Sequence, residues 1–298
     1  GACQVEEAHP QGSALTRMAR PAADNRLRGI GFALSAASFY GLVPNLARTA
    51  YVNGIPALET VLYRTIAVAV VLSLAAVALG FRLAVPRAAW PSFGWQVLAT
   101  LAVSACYLAS VQYIPVGLAV LIFFTFPVII LLLAPLLAGH APSLPRIAVA
   151  LLAFAGLAVA IGGFTGPAQP LGLVLAGLAA AGCALQFFSG RALAQHMHPT
   201  VFGGLVHVAI LPVVLALVLG VRGGIALPAM ATLPTVASVA GVCASYLAGY
   251  LLHMSSVRAA PASVVAPFFN FEPVVTTVIA VLLLGESFTL RHALGAGL

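Results

Sequence analysis

Long apolar stretches separated by short polar gaps make up most of this chain. A stretch that forms a helix of about 20 residues can cross a hydrocarbon core, and on this basis the pattern predicts nine complete spans. These spans cover roughly residues 29–49, 56–79, 92–113, 115–138, 146–164, 170–190, 200–220, 233–254 and 261–284. A tenth apolar segment runs from Leu290 to Leu298, about 13 Å of helix, so we expect the sequence shown to stop within a helix or to close with a partial one.

Composition supports a membrane protein. Of the 298 residues, 62% are hydrophobic and 6% are charged, and the mean hydropathy is +1.11, whereas a soluble domain has about a quarter charged residues. We therefore predict an all-α integral membrane protein. Residues 1–27 are polar and lack the apolar core of a signal peptide, so we expect a flexible cytoplasmic tail. The four cysteines show no paired spacing, which predicts no disulfide framework, metal or cofactor.

The basic residues are all arginines, and they carry orientation information. The formal net charge is +7, but the arginines lie singly between apolar runs, which is not typical of a nucleic-acid surface. Nine of them lie in the tail and in the gaps on the same side of the membrane, and three lie on the opposite side. This excess predicts a cytoplasmic N-terminus.

The chain contains an internal repeat. A shift of 146 residues aligns 11 of 38 positions between residues 115–152 and 261–298 without a gap. Among these identities are the pairs Pro115 and Pro261, Phe123 and Phe269, and Pro127 and Pro273. A shift of 141 residues aligns two glycine pairs earlier in the chain.

The repeat predicts the architecture. We divide the chain into a tail at 1–27, a first five-helix repeat at 28–165 and a second at 166–298. Because five is odd, the second repeat must enter the membrane in the opposite orientation, giving ten transmembrane helices as two inverted repeats, the tenth incomplete. Such an arrangement favours a binding site at the midplane between the halves.

The stretch Pro261–Glu286 is unusual for a membrane helix because it contains three prolines, Asn270 and Glu272. Prolines break helices, and a carboxylate at membrane depth usually faces protein or a water-filled cavity. On one continuous α-helix, Glu272 shares a stripe with Phe268 and Phe269. This stripe predicts a cavity wall that binds an amphipathic solute, with rings for the apolar part and a carboxylate for an ammonium group or a coupling proton. The alternative is a structural acid paired with Arg64.

Other polar and aromatic residues are further candidates for the cavity wall. In span eight the stripe is Tyr246, Tyr250 and His253, and its mates in span three include Ser104 and Tyr107. The alternative for these residues is interhelical hydrogen bonding. Weaker candidates for solute contact are Phe123, Asn45 in span one and Gln186 in span six.

Several residues have a predicted structural role. The hinge candidates are Pro115, Pro127, Pro261, Pro267 and Pro273. Arg64 lies about 12 Å inside span two, where we expect it to pair with Glu59 or with a helix C-terminus. Gly172, Gly177 and Gly182 repeat every five residues and indicate close helix packing.

Ten short spans, a proline-broken fourth span in each half and the tripeptide Leu284-Gly285-Glu286 resemble the EamA-type carriers of the drug/metabolite transporter superfamily. Arg64 is also typical of that family. The likeness covers Gly29 to Leu298, but Ala138-Gly139-His140 replaces the tripeptide in the first half. Within the superfamily the chain is most similar to the bacterial aromatic amino acid exporters (YddG-like).

This resemblance implies a carrier in the bacterial inner membrane that exports amino acids or similar metabolites by alternating access. A monomer would suffice to form its pathway, with a small-molecule substrate and the lipid bilayer as partners. The alternative is a proton-coupled drug or cation antiporter, although the small multidrug pumps use a first-span carboxylate and span one here has no acid. An intramembrane enzyme is disfavoured, because His207, His253 and Glu272 do not form a paired metal-ligand motif. A channel would not explain the paired proline breaks.

Overall fold

The computed structural model describes residues 25–137, 143–162, 168–225 and 232–284, together with Leu290, Leu294 and Gly295. Within these ranges all regular structure is helical. In chain order the helices are α1 (Arg26–Val52), α2 (Ala57–Ala78), α3 (Trp90–Ser110), α4 (Val116–Phe123), α5 (Phe126–Leu137), α6 (Leu144–Ile161), α7 (Pro170–Leu193), α8 (Pro199–Arg222), α9 (Leu233–Ala259), α10 (Ala262–Val265) and α11 (Phe271–Leu284). Short 3₁₀ segments lie at Arg87–Ala89 and Ala266–Asn270.

The helices form a multi-pass membrane protein. Eight helical segments in the described part of the chain are long and apolar enough to cross a bilayer, and a ninth, Ile147–Ile161, is apolar but shorter. Large apolar side chains face outward, including Leu132 at 71% and Leu282 at 72% exposure. The predicted all-α membrane class is therefore confirmed, and each of the nine predicted spans coincides with helix.

Some predictions lie outside the described residues. These are the tail up to residue 24, the Ala138-Gly139-His140 segment, and Gly285 and Glu286 of the tripeptide. The predicted tenth segment is described only at Leu290, Leu294 and Gly295, of which Gly295 lies against Gly156 and Ala160 of α6.

The fourth and ninth spans are interrupted at matching places. In the fourth, α4 ends at Phe123 and α5 begins at Phe126; in the ninth, the 3₁₀ segment Ala266–Asn270 connects α10 to α11. The interruptions directly precede Pro127 and Pro273, whose missing N–H groups weaken the helix there. Pro115 and Pro261 do not bend a helix. They are N-caps with nearly equal backbone angles, φ −55° and ψ 139° against φ −57° and ψ 146°.

The 3₁₀ segment corrects one expectation from the sequence. The stripe of Phe268, Phe269 and Glu272 assumed a continuous α-helix with 3.6 residues per turn. A 3₁₀ segment has about three residues per turn, so α-helical spacing does not hold between Phe268 and Glu272. Phe269 is buried against the core, whereas Phe268 and Glu272 are half-buried.

The helices of the two halves pack in matching pairs. α1 packs along α9 and α7 packs along α3, which under the 146-residue and 141-residue shifts are equivalent pairs. In the same way, α11 packs on α1 while α4 and α5 pack on α7. The remaining large contact joins α2 to α8, one helix from each half. Between the described helices, every major contact therefore joins the N-terminal half of the chain to the C-terminal half.

A close contact between α1 and α11 places the carboxylate-bearing helix. A Cβ atom at Gly41 would lie 2.8 Å from Cβ of Val275 and 2.9 Å from the backbone oxygen of Glu272. Two hydrogen bonds flank this contact: the Thr276 hydroxyl donates to the Gly41 oxygen at 3.2 Å, and the Asn45 amide donates to the Thr276 oxygen at 2.9 Å. The absence of a side chain at residue 41 therefore allows α11 to approach α1.

Replacing Gly41 by alanine is expected to destabilise the protein. The added methyl group must displace backbone or a β-branched side chain, which costs about 1–3 kcal/mol. The matched control is Gly31→Ala on the same helix, where a Cβ meets nothing within 4 Å. In detergent, thermal unfolding should show a lower midpoint for Gly41→Ala and an equal or higher one for Gly31→Ala. Equal midpoints for the two variants would show that this approach does not limit packing.

Candidate solute-binding site

Aromatic rings from four spans meet in the middle of the bundle. The His253 ring of α9 lies 4.2 Å from the Phe187 ring of α7 and 4.7 Å from the Phe269 ring, measured between centroids. Tyr40 of α1 lies 6.3 Å from His253 and 6.0 Å from Tyr246. Because Tyr246 is the middle residue of α9, this ring cluster lies near the centre of the span.

Glu272 adds a carboxylate to this region. Its side chain is half-buried, and it lies within electrostatic reach of Tyr40 on α1, Tyr107 on α3 and Cys183 on α7. No salt bridge to Glu272 is formed within the described part of the chain. The carboxylate therefore faces an interior that several spans share and is not neutralised by a described basic residue.

Arg64, the candidate partner of Glu272 and Glu59, has its guanidinium over an aromatic ring. Its guanidinium carbon lies 4.2 Å from the centre of the Tyr246 ring. Glu59 is fully buried at the start of α2 and accepts a long hydrogen bond, 3.5 Å, from the Tyr63 hydroxyl. Among the described residues, Arg64 therefore contacts Tyr246, which belongs to the ring cluster.

A buried hydrogen-bond network joins α3, α7 and α9. Gln96 of α3 is fully buried; its amide nitrogen donates to the Tyr250 hydroxyl at 3.3 Å, and its oxygen accepts from the Ser189 hydroxyl at 2.5 Å. The Gln186 amide donates to the Thr100 hydroxyl at 2.8 Å, and the Thr100 hydroxyl donates to the Gln96 backbone at 2.8 Å. Tyr250 and Gln186, both candidates for solute contact, are held in this network.

The other candidates from the first half lie close to the cluster. The Tyr107 ring lies 5.1 Å from Phe123, and Phe123 lies 5.7 Å from Phe126. Phe126 in turn stacks on Phe187 at 5.5 Å. Ser104 is buried on α3 and lies near the Tyr246 hydroxyl. The structure therefore connects Tyr107, Phe123 and Ser104 to the rings of the second half.

Three polar side chains near the broken ninth span have buried atoms without hydrogen-bond partners among the described residues. They are Nε2 of His253, the hydroxyl of Ser263 and both amide atoms of Asn270. Within the described residues, the Asn270 amide makes no bond to the backbone groups that the nearby prolines free. Unpaired buried polar atoms are rare because each costs about 1–3 kcal/mol.

The sequence did not single out several central residues. Tyr40 contacts His253, Tyr246 and Phe269, yet an isolated tyrosine in span one belongs to no stripe. Gln96 lies at the end of span three where a polar residue is ordinary, and only its full burial reveals its role. Among the described residues there is no group of three or more His, Cys, Asp or Glu side chains that could hold a metal ion.

An all-helical bundle has the features of a membrane solute carrier when aromatic rings meet in its middle beside a carboxylate, Glu272, that forms no salt bridge within the described part of the chain. The chain belongs to the EamA-like transporter family, whose sequence model matches residues 27–162 and again residues 170–298. It is accordingly a membrane transporter of small solutes.

Solved structures support the fold. One crystal structure, described only as that of a protein, superposes with a TM-score of 0.77 at 18% sequence identity, covering 90% of this chain and 92% of the other. At that identity the likeness concerns the fold alone. No curated protein sequence matches the chain.

Replacing Gln96 by leucine is expected to destabilise the bundle. The change removes the donor to Tyr250 and the acceptor for Ser189 in a buried site, which costs about 1–3 kcal/mol. The control is Gln112→Leu, because Gln112 is exposed in the turn after α3. Thermal unfolding in detergent should show a lower midpoint for Gln96→Leu alone. A midpoint unchanged by Gln96→Leu would mean that the network does not stabilise the packing of α3 against α7 and α9.

Proposed function

We propose that this chain exports small amphipathic metabolites, most specifically aromatic or neutral amino acids, by alternating access around a central cavity. The carrying observation is Glu272, a membrane-depth carboxylate without a salt bridge in the described part of the chain, within electrostatic reach of Tyr40 and Tyr107. An ionisable group in such a position usually serves a transport pathway. The rings suit the apolar part of the solute, and the carboxylate suits its ammonium group.

The transport mechanism in this proposal is rocking of two inverted five-helix repeats. Three observations support it: the family matches each half separately, the fourth and ninth spans break at matched positions, and the major helix contacts pair the two halves. In an inverted repeat the two halves can exchange conformations, so that a site between them opens first to one side and then to the other. Ring contacts such as Phe126 with Phe187 lie at that interface.

The proposed setting is the bacterial inner membrane with the N-terminus in the cytoplasm. The arginine excess on the side of the N-terminus supports this orientation. At that end of the bundle, Arg191 of α7 donates to the backbone oxygen of Val257 at 2.9 Å, near the C-terminus of α9. A basic side chain there satisfies a carbonyl that the helix leaves unpaired.

Counterflow into proteoliposomes tests the proposal. Vesicles preloaded with phenylalanine should accumulate labelled phenylalanine, tryptophan and tyrosine, and should accumulate lysine and aspartate much less. Counterflow depends on exchange through the carrier and not on a coupling ion. If no amino acid moves while a lipophilic cation such as tetraphenylphosphonium does, the proposal fails and a drug antiporter is favoured.

Replacing Glu272 by glutamine is expected to weaken transport of amino acids. The loss of a charge-assisted hydrogen bond, about 1.5–3 kcal/mol, corresponds to an apparent affinity for phenylalanine about 10- to 100-fold weaker. The control on the same helix is Thr277→Val, because the Thr277 hydroxyl bonds only the Pro273 oxygen of its own helix. Unchanged half-saturation in Glu272→Gln would remove this carboxylate from the solute site.

A further inference from the structure

Arg64 lies at the border of the buried face of α2. Val61 and Val68, three residues before and four residues after it, are buried, whereas Val71, seven residues after it, is 47% exposed. From this border the side chain turns into the bundle, because its Nε is buried and its guanidinium carbon lies over the Tyr246 ring of α9.

Inside the bundle, the guanidinium of Arg64 has unused hydrogen-bonding capacity. Its carbon lies 4.2 Å from the Tyr246 ring centroid, so the positive charge rests on the ring face. Nε is buried without a hydrogen-bond partner, and no hydrogen bond or ion pair to any nitrogen of this group is formed within the described residues. A ring face attracts the charge, but it supplies no oxygen acceptor to the N–H donors of arginine, and none comes from the other described residues.

The ring beneath Arg64 is held in place. His207 Nδ1 lies 2.8 Å from the Gly203 backbone oxygen, so this nitrogen carries the proton and donates to the carbonyl. His207 Nε2 therefore accepts, and the Tyr246 hydroxyl, 3.4 Å away, donates to it. Ser104 of α3 lies near the same hydroxyl. With the Tyr246 hydroxyl bonded to His207 of α8, the guanidinium is positioned before any ligand arrives.

Two neighbouring tyrosine rings, which we call the two-ring wall, connect Arg64 to Glu272. Tyr246, below Arg64, lies 6.0 Å from Tyr40, and Tyr40 is within electrostatic reach of Glu272. The wall thus has one positive and one negative group, and the structure shows no salt bridge between them among the described residues. Two opposite charges separated by aromatic surface match a solute that is itself dipolar and partly aromatic.

We propose that Arg64 binds the carboxylate of the transported solute. This inference rests on the proposed function and deepens it: the substrate class becomes zwitterions, whose carboxylate meets Arg64 while the ammonium faces Glu272. A guanidinium offers two parallel N–H donors to a carboxylate, which fixes orientation as well as affinity. The sequence predicts a structural role for Arg64. The two roles can be distinguished, because replacing a purely structural arginine would weaken the binding of all solutes alike.

The test uses three competitors that differ by one charged group. L-phenylalanine has both groups, phenethylamine lacks the carboxylate, and 3-phenylpropionate lacks the ammonium. Each competes with labelled phenylalanine in counterflow by the wild type, Arg64→Gln, Arg64→Lys and Glu272→Gln. The control is Arg82→Gln, an exposed arginine after α2. Size-exclusion profiles and thermal midpoints confirm that each variant is folded.

We expect Arg64→Gln to weaken the binding of phenylalanine and phenylpropionate about 10- to 100-fold, which corresponds to the loss of a charge-assisted hydrogen bond. The binding of phenethylamine should be unchanged. Glu272→Gln should weaken the binding of phenethylamine and leave the binding of phenylpropionate unchanged. Arg64→Lys keeps the charge but not the paired donors, so its loss should be smaller. Equal weakening of all three competitors in Arg64→Gln, or none, overturns the assignment even if the wild type transports phenylalanine. A wild type that moves no phenylalanine overturns both this inference and the proposed function.

Discussion

Where a membrane helix is interrupted, the freed backbone N–H and C=O groups must find hydrogen-bond partners within the protein, because lipid offers none. The fourth and ninth spans both give up such bonds at their prolines, and both breaks lie against other helices. In the fourth span the Thr125 hydroxyl donates to the Ile122 oxygen at 2.6 Å across the break. In the ninth, the close approach of α11 to Gly41 and the bond from Asn45 to Thr276 secure the segment after the break. The bundle can therefore hold irregular backbone at its centre.

This constraint explains where the chemistry lies. A 3₁₀ segment ends at Asn270, and Glu272 follows in the first turn of α11, so the carboxylate sits beside the interruption and not on a lipid-facing surface. Its first-half equivalent, Phe126, stacks on Phe187 in the core. The two halves thus share a backbone break but carry different side chains at it. In the proposed function, the two matched helix breaks form the site, and Glu272 gives that site a charge on the side of the second half only.

Much of the fold could be predicted from the sequence, because length and hydropathy determine which segments cross a membrane. The spans, the two broken helices and the glycine contacts at Gly172 and Gly182 follow from such patterns. Gly177, at the same spacing, meets nothing within 4 Å, since which face of α7 is covered depends on its neighbours. The 3₁₀ segment before Glu272 and the contacts of Tyr40, Gln96 and Arg64 depend on tertiary packing, so the sequence pattern does not predict them. Gln186 and Tyr250 are predicted solute contacts in the sequence, and only the structure shows that the Gln186 amide nitrogen and the Tyr250 hydroxyl also bond residues far along the chain.

The proposed transport mechanism requires an aromatic solute to bind beside Tyr40, Tyr246 and Glu272. Photo-crosslinking with labelled p-azidophenylalanine, followed by peptide mapping, is a direct test of this binding site. Adducts are expected on α1, α9 and α11 near these three residues, and excess unlabelled phenylalanine should suppress them. Adducts confined to lipid-facing side chains, or adducts that phenylalanine does not suppress, would contradict the proposed site.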